Sequence, residues 1–160
     1  MESGARTQAR EDDPSAALLG SAGFLLNKSA HRLREQLDLA LQPLGLSGKL
    51  LSVLKILNSE GAHTQHELGS LGSIDRSSAV VFIDALEQLG LVERLRKPGD
   101  RRAHVVALTD KGRRTLPKAR AVEARVQGAY LACLKARDRK TLLALLRRLV
   151  ETHAKGFLCA

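Results

Sequence analysis

Between Asp75 and Gly112 the hydrophobic spacing of the chain switches from helical to extended and back to helical. Val80, Ile83, Leu86 and Leu89 recur at three-residue intervals and mark one face of a helix running from about Arg76 to Leu89. Asp75 suits its N-cap. Gly90 suits the position just past its end, with Leu91 placed for the usual apolar contact. Two short strands follow, about Val92 to Arg96 and Ala103 to Leu108, around the turn Lys97-Pro98-Gly99-Asp100. Thr109-Asp110 then caps another helix. A helix, a tight hairpin and a helix in that order make the fold mainly α with a small β-hairpin.

The rest of the chain is patterned as helix. Residues 1–13 are polar and read as a disordered tail. Pro14-Ser15 can open a helix that runs to about Leu41 and carries Leu18, Ala22, Leu25, Leu26, Leu33 and Leu37. Pro43 and Gly45 end it. The segment Ser47 to Asn58 is apolar nearly all round and should be central. Thr64-Gln65-His66-Glu67 matches a capping box that opens a short helix, about Gln65 to Leu71. Gly72-Ser73 is a turn. Pro117 predicts a kink or break in the helix after Thr109, which then resumes to about Lys135. Asp138 opens a last helix with an apolar stripe of Leu142, Leu145, Leu146, Leu149 and Val150. A length of 160 residues fits one compact domain, or one small domain plus an oligomerisation element. Aromatics are only 2%, so the core must be aliphatic.

The net charge is +9 and the sequence pI is about 10.2, which favours polyanionic partners. From Leu91 to Arg125 eleven Lys/Arg face four Asp/Glu, leaving +7 of the total on the hairpin and its flanks. The uncharged run Pro14 to Asn27 is too short to span a bilayer and follows Glu11, Asp12 and Asp13, unlike the basic start of a signal peptide. With two cysteines, Cys133 and Cys159, there is no disulfide framework. A cytoplasmic protein with no membrane partner is expected.

The helices Gln65–Leu71 and Arg76–Leu89, joined by Gly72-Ser73, form a helix-turn-helix candidate. In such motifs the second helix enters the DNA major groove N-terminus first. Its first turn carries Arg76, Ser77 and Ser78, which can bond phosphates or base edges. A hairpin with a cationic tip suits the negative potential of a minor groove. Arg101 and Arg102 would be its probes, with Arg94, Arg96 and Lys97 along its basic flank.

The stretch DRSSAVVFIDALEQLGLVERLRKPGDRRAHVVALTDKG, Asp75 to Gly112, resembles the multiple antibiotic resistance regulator (MarR) family of winged helix-turn-helix transcription factors. LEQLGLVER, the turn ending GDRRA, and LTDKG carry the likeness. The resemblance implies a homodimer built from an N-terminal helix (residues 14–46) and C-terminal helices (113–160), flanking a DNA-binding domain (47–112). It implies a palindromic double-stranded DNA operator, and repression as the commoner mode. Asp100 and Arg102 match the family's wing Asp-x-Arg. Asp75 matches an acid that can pair with the wing arginine, so an Asp75–Arg102 ion pair that positions the wing is expected. Many family members respond to small anionic or aromatic effectors, and Asn27, Lys28, His31 and Arg32 lie where such pockets occur. The chain departs from the family where a Thr-Arg pair is common in the recognition helix: Val80-Val81 stands there. Ala85 replaces an arginine common one residue after the helix acid, here Asp84. Readout should therefore lean on Arg76, Ser77, Ser78, thymine methyls and the wing.

Competing readings are weaker. His63 and His66 are the only close pair among five histidines and have no cysteine beside them, so no metal or cofactor is expected. Cys133 reads as a small packing residue and Cys159 as an exposed one. No catalytic set or phosphate-binding glycine loop appears, so an enzyme is not expected. The main alternative is a winged helix that binds another protein or RNA.

Overall fold

The computed structural model describes residues 17–72, 74–97 and 100–153; side chains at 97 and 100–103 are outside that description. The expected tail (1–13) also lies outside it. The elements are α1 (Ala22–Leu41), α2 (Gly48–Glu60), α3 (Gln65–Leu71), α4 (Arg76–Gln88), β1 (Val92–Lys97), β2 (Asp100–Leu108), α5 (Asp110–Tyr130) and α6 (Ala136–His153). Short 3-10 turns follow α1 and α5.

Most helix starts are set by one side-chain oxygen each. Ser21, Ser47, Thr64, Asp75 and Thr109 all accept from a backbone N–H in the first turn of the helix that follows. The Thr64–Glu67 capping box forms with both bonds present. Among the described residues the first helix begins at Ala22, after a turn over residues 17–20, and the expected start at Pro14-Ser15 lies outside them. Gly20 and Gly23 weaken helix around that point, and the Ser21 cap fixes the start. Asp38 on α1 also accepts the Gly48 N–H at 2.7 Å, which ties the end of α1 to the start of α2.

Pro117 does not break α5, which runs unbroken through it. The proline removes only the bond its N–H would make to the carbonyl of Arg113, and both residues are exposed, so water can serve that carbonyl. The helix ends earlier than expected, at Tyr130, in a 3-10 turn over Leu131–Cys133. Arg139 donates to the carbonyls of Leu134 and Ala132, bracing the corner into α6. Cys133, expected to be packed, is exposed.

The core is aliphatic, as the scarcity of aromatics requires. Leu51, Val53, Leu54 and Leu57 of the central α2 meet Leu41, Leu46, Leu68, Ile83, Leu86, Val92, Val106, Leu116 and Ala119. The hairpin pairs Val92 with Leu108 and Leu95 with Val105, antiparallel, with a register shift between Arg96 and Lys97. A third extended segment joins it: His63 exchanges both backbone bonds with Val106, at 3.2 and 2.7 Å. That single-residue bridge ties the loop before α3 to the wing.

Among the described residues of α6 none is buried. Its expected stripe is present but uncovered, with Leu145, Leu149 and Val150 exposed and Leu142 and Leu146 half-buried. Leu18, Leu19, Leu25 and Leu26 at the other end of the chain are exposed too. No single helix among the described residues is long and apolar enough to cross a membrane.

Candidate nucleic-acid interface

α3 and α4 are locked into a helix-turn-helix by their turn. Ile74 N–H donates to the Gly69 carbonyl at 2.8 Å, and Gly72 N–H to that of Leu68 at 3.0 Å. α4 presses Ala79, Ile83 and Leu86 into the core. Its opposite face carries Ser77 and Val81, and Arg76 is exposed at its first position.

Asp75 organises the start of α4. Its Oδ1 accepts from the Ser77 hydroxyl at 2.5 Å and from the Ser78 N–H at 2.9 Å. These bonds, with the Ser77 hydroxyl first, hold its carboxyl far below the usual carboxylate range. The expected partner Arg102, with Arg101, Asp100 and the side chain of Lys97, lies outside the described side chains. A groove of ≈ 830 Å³ runs between α3, the start of α4 and β2, lined by His66, Asp75, Arg76 and His104 among others.

Arg94 was expected along the DNA-facing flank. Its guanidinium instead forks onto Asp84 and Glu87 in the second half of α4. The hydrogen bond to Asp84 is the main reason the group is driven further into its charged form, with the charge of Glu87 adding to it. Arg94 thus fastens β1 to the recognition helix. Arg96 is exposed. Sequence reading missed this fork, although acids at 84 and 87 and the basic strand residue at 94 were its signal.

The junction from α4 into the wing and α5 is equally defined. Gly90 has φ +69°, and α4 ends in a Schellman motif, with Leu91 N–H on the Leu86 carbonyl and Gly90 N–H on that of Glu87. Thr109 Oγ1 donates to the Gly90 carbonyl at 2.7 Å, and Lys111 Nζ to that of Leu89 at 2.7 Å. Gly112 packs on the Leu91 backbone so tightly that a Cβ there would sit 2.1 Å from its carbonyl oxygen. The LTDKG sequence is a clamp on the end of the recognition helix.

On α1, Asn27 and His31 are exposed, and Lys28 and Arg32 are half-buried. His31 and Arg32 both reach Glu35, at 3.2 and 3.7 Å. These residues do not line the groove beside α4. No cluster of three or more metal-ligating side chains occurs among the described residues. His63 sits against Glu67 at 3.5 Å, and its Nε2 is buried without a hydrogen-bond partner.

A helix-turn-helix whose second helix exposes its N-terminal half, backed by a basic hairpin, defines a winged helix-turn-helix DNA-binding protein. The comparisons with known proteins agree. The MarR family model matches residues 46–104. The HTH-type transcriptional regulator BilQ of Clostridium symbiosum is 30% identical over 74% of this chain and 82% of its own length. An uncharacterised HTH-type regulator of Bacillus subtilis, YdgJ, is 31% identical over 66% of this chain but only 64% of its own length. Among solved structures, the transcriptional repressor CouR bound to a 23-mer DNA duplex superposes with TM-score 0.79 at 32% identity, covering 87% of this chain and 99% of that one. CouR from Rhodococcus jostii RHA1 bound to p-coumaroyl-CoA superposes with TM-score 0.75 at 30% identity, over 88% of this chain and 96% of that one. This chain belongs to the MarR family of transcriptional regulators, and it is not an enzyme.

Proposed function

We propose that the protein is a ligand-responsive repressor that binds a palindromic operator as a homodimer. The observation that carries this reading is the exposed N-terminal half of α4, set beside the wing in a fold shared with a DNA-bound repressor. Arg76, Ser77 and Ser78 would meet the major groove; Arg96, Lys97, Arg101 and Arg102 would meet phosphates and the minor groove. Arg94, Asp75 and Asp100 would set the wing. Two-fold symmetry would then place two recognition helices about one DNA turn apart.

The exposed leucines of α6 and of the α1 end support the dimer. A soluble chain rarely leaves so many uncovered, and a second copy would bury them. The effector would be a small anionic or aromatic molecule held near Asn27, Lys28, His31 and Arg32. CouR, with its acyl-CoA ligand, supports an effector of that chemistry.

The test is binding of the purified protein to the intergenic DNA beside its own gene, in a salt series, with random duplex as competitor. Selective binding that weakens steeply with salt, by a species of twice the chain mass, is expected. Binding that is equal for all duplexes, or stronger to RNA, would refute the reading.

A further inference from the structure

We propose that Val80 and Val81 read the 5-methyl groups of thymine in the operator's major groove. This rests on the DNA-binding reading above and adds the base it selects. Val81 is 62% exposed and Val80, which the spacing groups with Ile83, Leu86 and Leu89, is 37% exposed, in a helix whose core contacts are made by Ala79, Ile83 and Leu86. Folding gives them little reason to be there. An exposed β-branched side chain gains little from packing and favours a helix less than Ala, Glu or Lys would.

The two acids nearest them are already engaged: Asp75 accepts from the Ser77 hydroxyl and the Ser78 backbone N–H, and Asp84 is held by Arg94. The second turn of α4 therefore offers a base pair chiefly methyl groups. The charge around this face selects the occupant. Arg76 is exposed one turn ahead, Arg94 offsets Asp84 and Glu87, and the basic hairpin lies alongside. A polyanion is drawn here, and the apolar feature DNA displays in its major groove is the thymine methyl.

The experiment uses the full chain and its footprinted operator, with each thymine in turn replaced by deoxyuridine. That change removes one methyl and leaves every hydrogen-bonding group in place. At one or two positions per half-site, affinity should fall about threefold to fivefold, the order set by one buried methyl group. Val81→Ala or Val80→Ala should abolish the penalty at its own position, with unchanged circular dichroism. Selective operator binding indifferent to uracil at every thymine would overturn the assignment while leaving the DNA-binding reading intact. So would a uracil penalty that both alanine variants retain. Loss of selectivity for any duplex would overturn both.

Discussion

A Cβ at Gly112 would meet the Leu91 carbonyl oxygen at 2.1 Å, and that oxygen is backbone that cannot swing aside. Gly112→Ala must push α5 away from the end of α4, so it should destabilise the fold by roughly 2–4 kcal/mol, at the upper end of overpacking costs. Urea unfolding would read it, as a lower midpoint with an unchanged slope. Gly90→Ala strains a left-handed residue instead of a contact, and about 1 kcal/mol is expected there. Arg94 permits a sharper separation of roles. If its guanidinium holds the wing through Asp84 and Glu87, Arg94→Ala should weaken operator binding and leave the salt slope unchanged. A lost phosphate contact would reduce that slope by about one. Its partners are partly exposed, so the direct effect on stability should stay near about 1 kcal/mol. A salt slope that falls by one in Arg94→Ala would return the residue to the DNA contacts.

At the scale of elements, Asp75 links the start of the recognition helix to pH. Its carboxyl titrates lower when folded than when unfolded, because the charged form accepts from Ser77 and Ser78. The folded state therefore binds fewer protons than the unfolded one in that range. The contribution is in full force above the unfolded value, about pH 4, and fades as pH falls toward the folded one. Asp75→Asn keeps a capping oxygen but cannot titrate, so its stability should fall less than wild type between pH 5 and pH 2. Parallel curves for the two proteins would remove Asp75 from the acid response. Such caps are also why elements were legible in the sequence. Thr64 with Glu67, Asp75 before Arg76 and Gly90 after Leu89 are local signals that tertiary packing did not override. Pro117 left α5 unbroken because the carbonyl it orphans is on an exposed residue, which the sequence does not state. The Arg94 fork and the His63–Val106 bridge were hidden because each joins residues brought together only by the fold. Of the candidate site, the start of α4 was legible from local pattern, whereas the pairing of Arg94 with Asp84 and Glu87 was not.

At the scale of the whole molecule, the decisive feature is what a single chain leaves uncovered. α6 presents Leu143, Leu145, Leu149 and Val150 to solvent, the last 69% exposed, while α5 is held to α1 by packing and by the Tyr130 hydroxyl on the Ser29 carbonyl. A second copy is the partner that palindromic DNA would require, because each recognition helix then meets an identical half-site. Half-sites joined in one dimer bind with an effective concentration that separate chains lack, worth about 10²–10⁴-fold in affinity. Leu145→Glu with Leu149→Glu should therefore halve the mass seen by light scattering. It should cut operator affinity by at least about a hundredfold and leave the monomer's helix content largely intact, since neither side chain is buried within one chain. The Lys55–Glu123 ion pair, at 3.0 Å, joins α2 of the DNA-binding part to α5. It should remain in the monomer, so the loss would come from symmetry and not from a loosened wing. A double variant that stays dimeric would assign the interface to other faces. A monomer that still binds the full operator at wild-type affinity would mean that one helix and one wing suffice.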